Sequence, residues 1–235
     1  MRKIIVALPK GRRLLASAYE VFRAAGYASL ELEREIEQKE RKQLEYNSDD
    51  GAVTFLLVRI ADIPQYVDKN WADVGISAFD CYREYELSHA TLQHSLRGDN
   101  FVSNLLPDLK LCEKSRFCVA GRPENKAFYE KCKHSDEKIL EVATQHPNIA
   151  SRFFQGKGIT SDIITVSGSS EIMPHYCEVD VIFDIVETGR ALEENGLIIY
   201  DEAMPILTKL LVSKAALKYD ENVSSMIEKL KFAIK

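Results

Sequence analysis

The run Val179–Leu197, VDVIFDIVETGRALEENGL, ends an apolar stretch in the carboxylate of Asp184 and follows it with the pair Thr188-Gly189. Those types at that spacing suit a phosphorylated sugar. Gly189 lets the backbone approach a phosphate, and the N–H groups opening the next helical turn face outward as donors. Thr188 adds a hydroxyl. Asp184 stands where a carboxylate could hold ribose hydroxyls or a magnesium ion. The same residues also describe a strand, a turn and a capped helix, since Thr-Gly turns are common.

Two further runs carry similar chemistry. Leu8-Pro9-Lys10-Gly11-Arg12-Arg13 puts cations where an apolar strand ends, and in open α/β sheets ligands bind at that edge. Their charge suits a pyrophosphate or a triphosphate, although a solvated basic turn has the same composition. Val166-Ser167-Gly168-Ser169-Ser170-Glu171 offers hydroxyls and a glycine ahead of a helical turn. It reads as an anion site or as a helix cap with a capping-box flavour. Arg59 and Arg116 are further cations beside expected strands.

These residues need strand ends to hold them, and the apolar pattern supplies such ends. Ile4–Leu8, Val53–Val58, Asp73–Ile76, Phe117–Ala120, Ile139–Thr144, Ile163–Val166, Val179–Val186, Leu197–Tyr200 and Leu207–Val212 read as strands. Helical spacing joins Leu14, Leu15, Ala18, Val21, Phe22 and Ala25, with Gly26 as the stop. Asn148–Lys157 and Val223–Ile234 are amphipathic, and Ile63 and Pro64 open a short helix that ends before Trp71. Asp80 is expected to cap the next helix. Glu31–Lys42 fits a solvated helix or a loop, Gly98–Pro107 a loop, and Arg122–Asp136 an insertion or surface helix. Alternation of strand and helix argues for a mostly parallel sheet covered on both faces.

Composition narrows the classes. A chain of 235 residues with 46% hydrophobic content can bury a core as one large domain or two lobes. A net charge of -5 weighs against a nucleic-acid surface. No apolar run approaches the roughly 20 residues of a membrane span, and the N-terminal stretch Ile4–Leu8 is too short for a signal-peptide core. The cytoplasm is therefore expected. Five cysteines with no C-x-x-C pair fit free thiols, and scattered histidines give no zinc motif.

A family resemblance joins these pieces. LPKGR at 8–12, FLLVR at 55–59, ADVGI at 72–76, VAT-x-x-PN at 142–148, GS-x-E at 168–171 and DIV-x-TG-x-x-L-x-x-NGL at 184–197 resemble ATP phosphoribosyltransferase, in order and at similar spacing. The resemblance implies two periplasmic-binding-protein-like (type II) α/β lobes with a cleft between them. Residues 1–108 with 197–235 would form the dimerising ATP/pyrophosphate lobe, and 109–196 the phosphoribosyl-binding lobe. It implies that 5-phosphoribosyl 1-pyrophosphate and ATP are joined with Mg2+, the first step of histidine biosynthesis. Lys10, Arg12 and Asp184 would be catalytic. Arg59, Arg116, Gly168, Ser169, Glu171, Thr188, Gly189, Arg190 and Ala191 would join Asp184 in binding substrates. Mg2+ would come mainly through substrate phosphates. With no room for the long form's C-terminal regulatory domain, the resemblance is to the short form. It implies a homodimer working with a regulatory subunit related to histidyl-tRNA synthetase.

Three positions depart from the family pattern. Ala191 stands where a Thr is usual, Phe79 replaces a Lys before Asp80, and Gln145 replaces a Lys in the VAT-x-x-PN run. One lost hydroxyl bond to a charged phosphate costs about 1.5–3 kcal/mol. Arg190 or Arg13 could compensate as a guanidinium clamp. The alternative reading is therefore a catalytically weakened relative, kept as a nucleotide- or phosphosugar-binding module.

Overall fold

The computed structural model of the chain describes residues 2–38, 43–89, 100–109, 111, 114–134 and 138–233. They form two compact units, Met1–Leu111 with Leu207–Lys235, and Cys112–Ile206. No helix among the described residues is long and apolar enough to cross a membrane.

The first unit opens with β1 (Ile4–Pro9), α1 (Arg12–Ala24), α2 (Leu30–Gln38), β2 (Glu45–Asn47), β3 (Val53–Val58), α3 (Ile63–Asp68), β4 (Val74–Ala78), α4 (Phe79–His89) and β5 (Phe101–Val102). The second unit holds β6 (Arg116–Gly121), α5 (Lys126–Cys132), β7 (Leu140–Thr144), α6 (Pro147–Gly156), β8 (Ser161–Thr165), α7 (Met173–Tyr176), β9 (Val181–Val186), α8 (Arg190–Glu194) and β10 (Ile198–Pro205). The chain then returns to the first unit with β11 (Thr208–Ser213), α9 (Lys214–Tyr219) and α10 (Glu221–Ala233).

The first sheet has the order β2-β3-β1-β4-β11-β5. Its centre is parallel: Pro9 lies opposite Val58, and Val6 opposite Val74. The three carboxyl ends therefore emerge along one edge. Continuous apolar runs fit that centre because both faces are covered. Gly75 makes the covering possible on one side. A Cβ there would lie 2.6 Å from Ile63 Cγ2, so α3 packs directly on β4. Helix α1 stops where the sequence places its stop: Gly26 has φ +92°, and its N–H donates to the Arg23 carbonyl at 3.0 Å.

The second sheet has the order β10-β6-β9-β7-β8, with β7 parallel to β8 and β9 and with β6 antiparallel to β9 and β10. One face of β9 presents Phe183, stacked on Phe117 with ring centroids 4.9 Å apart. The other presents Ile182 and Val186, which pack with Leu192 of α8 and Met173 of α7. Strand alternation puts Asp184 on that same face.

Several expectations change. Residues 197–206 belong with the second sheet, because β10 pairs along β6. The 122–136 stretch is more than a surface insertion, since Tyr129 and Cys132 of α5 are buried; residues 135–136 lie outside the described set. Glu31–Gln38 is helical, and 39–42 also lie outside it. The loop expected at 98–107 contains β5, with 98–99 not described. Asp80 does not cap α4, which begins one residue earlier at Phe79. Helix α9 falls in a stretch for which no element is expected, and Ile234 lies outside the described residues.

Candidate functional site

In the second unit, β9 ends at Val186 and α8 begins at Arg190. The turn between them needs a left-handed residue, and Gly189 supplies it with φ +81°. The Arg190 N–H points to the Thr188 hydroxyl oxygen at 3.4 Å. A concavity of about 190 Å³ opens here, lined by Glu171, Asp184, Thr188, Gly189, Arg190 and Ala191 among others. Of the sequence-derived candidates, these six are brought together.

Asp184 is half-buried and held on both oxygens. Its Oδ1 accepts the Ile185 N–H at 2.7 Å, and its Oδ2 accepts the Ser170 hydroxyl. Ser170 is fully buried. The motif reading selected its neighbour Ser169, yet Ser169 is exposed, with φ +52°, and turns the chain so that the following residue enters the protein. The only sequence signal for Ser170 was its place in the Ser-Gly-Ser-Ser-Glu run. Gly168 and Ser169 shape this turn without lining the concavity.

Charge in the concavity differs from the simple expectation. Glu171, Asp184 and Glu187 line it against one cation, Arg190. The Arg190 guanidinium pairs with Glu194 at 2.7 Å on an exposed face of α8. Ala191 is exposed, and its carbonyl accepts from Asn195 Nδ2 at 2.9 Å. Any phosphate here would rely on backbone N–H groups and Thr188, while the carboxylates are placed to accept from hydroxyls. Arg116 stands apart: it opens β6 and pairs with Glu202 of β10 at 2.8 Å, which raises its pKa above the usual guanidinium value.

In the first unit, the basic candidates share one edge. Pro9 and Val58 are register partners, and the Lys10 N–H donates to the Val58 carbonyl at 2.7 Å. Lys10 and Arg59 thus leave two adjacent strand ends together, with Arg12 opening α1. Arg12 and Arg59 are exposed; the side chain of Arg13 lies outside the described set. Phe79 follows β4 onto the same edge and packs edge-on against Tyr82, at 5.4 Å between centroids. Asp80 behind it is buried, with Oδ2 accepting from the Cys81 thiol at 3.2 Å and Oδ1 without a partner among the described residues. Gln145 is exposed between β7 and α6.

Residues 59–234 match the ATP phosphoribosyltransferase family. The chain belongs to that family. An ATP phosphoribosyltransferase of Listeria welshimeri is 35% identical over 237 aligned positions, covering 100% of this chain and 98% of the relative. Among solved structures, the ATP phosphoribosyl transferase (HisG:HisZ) complex of Thermotoga maritima superposes with a TM-score of 0.71 at 27% identity, over 98% of each chain. A Candida albicans protein of the generic periplasmic binding protein fold superposes with a TM-score of 0.55 at 11% identity, over 100% of this chain and 70% of that one. The two α/β sheets are thus of the periplasmic-binding-protein-like kind. Among the described residues, no group of three His, Cys, Asp or Glu side chains could hold a metal ion.

Proposed function

We propose that this chain transfers the 5-phosphoribosyl group of 5-phosphoribosyl 1-pyrophosphate to N1 of ATP, the first step of histidine biosynthesis. We further propose that the β9–α8 concavity holds the phosphoribosyl group. The observation that carries this is the convergence of Asp184, Thr188 and Gly189 on one concavity in a chain of this family.

Each Asp184 oxygen already accepts one bond and keeps a lone pair for a ribose hydroxyl. Glu171 stands beside it as a second acceptor. Thr188 and the backbone N–H groups at Gly189 and beyond take the 5-phosphate. Gly168 and Ser169 shape the turn that presents Glu171. Lys10, Arg12 and Arg59 take the pyrophosphate and the ATP phosphates, with Arg190 and Arg116 as outlying cations.

The reaction breaks the C1–oxygen bond to pyrophosphate, which leaves with the electron pair, and forms the bond from adenine N1 to C1. The ribose passes through an oxocarbenium-like state. The protein's work is to orient two polyanions and stabilise separating charge. No covalent nucleophile is needed. Lys10 and Arg12 offset charge on the leaving group, and Asp184 fixes the ring that becomes cationic.

Mg2+ fits this arrangement as a companion of the pyrophosphate. The chain's donors offer it single carboxylates such as Asp184, and Mg2+ is ordinarily held by one or two carboxylates plus substrate phosphates. When bound, it neutralises charge on the leaving pyrophosphate.

The Thermotoga complex supports a separate regulatory partner of the HisZ kind, which we take to be related to histidyl-tRNA synthetase. The reading also includes a homodimer and a cytoplasmic place of work, where both substrates are made. Neither the fold nor the comparisons favour a binding module without turnover.

The test is formation of phosphoribosyl-ATP from both substrates and Mg2+, with and without the partner. Product in the partner's presence is expected. Calorimetry showing no binding of phosphoribosyl pyrophosphate at millimolar ligand would sink the reading.

A further inference from the structure

We infer that Ser170 is a positioning residue for Asp184, acting on phosphoribosyl binding without touching the substrate. The inference rests on Asp184 being the ribose-holding carboxylate. Ser170 is wholly enclosed, and its hydroxyl donates to Asp184 Oδ2. A buried hydroxyl needs a partner, and this one has found the carboxylate that lines the concavity.

The bond crosses two separate segments. Ser170 sits in the short 3-10 turn Ser170–Ile172 ahead of α7, while Asp184 sits on β9. The turn is anchored from below. Pro174 is buried, and Met173 packs against the cluster of Ile182, Val186 and Leu192. Ser169, in its left-handed conformation, sends Ser170 inward and leaves itself exposed. The donor is therefore fixed to a packed element rather than to a swinging loop.

The geometry has a chemical consequence. The Ile185 N–H fixes one carboxylate oxygen, and the Ser170 hydroxyl fixes the other. Two donors on two oxygens set both the torsion and the plane of the group, so the remaining lone pairs have defined directions. A half-buried aspartate held only by its own neighbouring N–H would rotate, and the acceptor would have to be re-ordered at each binding event. Glu171 follows Ser170 directly and lines the same concavity, so the bond also sets the spacing between the two acceptors.

The experiment is a double-mutant cycle on the full chain with phosphoribosyl pyrophosphate and Mg2+ as the probe. Ser170→Ala is expected to weaken binding roughly tenfold, the effect of one hydrogen bond to a charged group. ATP affinity is expected to stay unchanged. In an Asp184→Asn background, Ser170→Ala adds nothing further. Where that background binds too weakly for calorimetry, kcat/KM closes the cycle.

Equal losses from Ser170→Ala in both backgrounds would overturn the inference. So would equal weakening of both substrates, or a lower unfolding temperature with phosphoribosyl pyrophosphate affinity intact. Asp184→Asn binding like the unaltered chain marks a different failure, since it removes the assignment of the ribose carboxylate itself.

Discussion

At the carboxyl edge of the first sheet the proposed recognition groups are side-chain cations: Lys10, Arg12 and Arg59 follow strand ends that lie in register. At the corresponding end of β9 the charge is reversed. Glu171, Asp184 and Glu187 line the concavity, and the proposed anion donors are a hydroxyl and backbone N–H groups. Two edges of similar topology thus differ in sign and in kind. Flexible cations suit a pyrophosphate, whose charge is high and whose shape varies. Fixed carboxylates and backbone N–H groups suit a ribose 5-phosphate, whose hydroxyls must be held in one orientation while C1 reacts.

The largest expected effect falls on the second edge. Asp184→Ala removes two hydroxyl acceptances at about 1.5–3 kcal/mol each, so kcat/KM for phosphoribosyl pyrophosphate falls roughly a hundredfold or more. ATP binding, measured separately, is expected to survive. If instead ATP is lost and phosphoribosyl pyrophosphate still binds, the division of labour is reversed. Arg59→Ala probes the opposite edge. Removing one charge-assisted contact costs about 2 kcal/mol, roughly thirtyfold, with a steeper salt dependence in the unaltered chain than in the variant. An unchanged salt dependence would remove the first edge from polyanion binding.

Backbone close approach offers a comparison of the two scaffolds. A Cβ on Gly121 would lie 2.7 Å from the Tyr200 hydroxyl oxygen and 2.8 Å from the Asp180 carbonyl oxygen, and a backbone atom cannot step aside cheaply. On Gly75 it would meet Ile63 Cγ2 at 2.6 Å and Val67 Cγ2 at 3.1 Å, side-chain methyls carried on α3. Overpacking costs about 1–3 kcal/mol. Gly121→Ala is expected near the top of that range and Gly75→Ala below it, as read by urea denaturation. The reverse order would mean that α3 is held more rigidly than β10.

Much of this was legible because buried strands advertise themselves. VTFLLV is apolar at all but one position and VDVIFDIV at all but two, a density that marks buried strands, and the turns after them carry the polar residues that strand ends expose. What stayed hidden was long-range. Ser170 reads as one hydroxyl among three until β9 brings Asp184 to it. Tyr129, buried with Cys132 in a charged segment, has a hydroxyl that reaches Asp201 at 3.2 Å. Asp80 looked like a cap by type and position, yet the helix starts before it. The assignment of 197–206 to the first unit failed for the same reason. Strand pairing with β6 is a contact that local composition does not encode.

Ala191 allows a gentler test of the second edge. Ala191→Thr restores a hydroxyl at an exposed position of the concavity. Affinity for phosphoribosyl pyrophosphate is expected to rise roughly tenfold, from about 1.5 kcal/mol of charge-assisted bonding. No gain would show that the phosphate does not reach this residue.

The smallest effect separates scaffold from site within the second unit. Asp201 on β10 accepts Lys157 Nζ at 2.7 Å and the Tyr129 hydroxyl, with Lys133 at 3.9 Å. Burial alone would raise its pKa; the Lys157 bond and charge, with Tyr129 and Lys133, outweigh burial and hold it below the ordinary aspartate value. A carboxylate depressed in the folded state contributes stability above its unfolded pKa of about 3.9, and loses it as pH falls through the folded value. Lys157 is 37% exposed, so solvent screening keeps the contribution under about 1 kcal/mol. Asp201→Asn should therefore cost little at neutral pH and flatten the acid side of the stability curve below about pH 4, while phosphoribosyl pyrophosphate affinity holds. Urea midpoints taken across that range decide it. If the acid side keeps its slope, other carboxylates carry it. If affinity falls with stability intact, β10 is coupled to the concavity through β6 and β9.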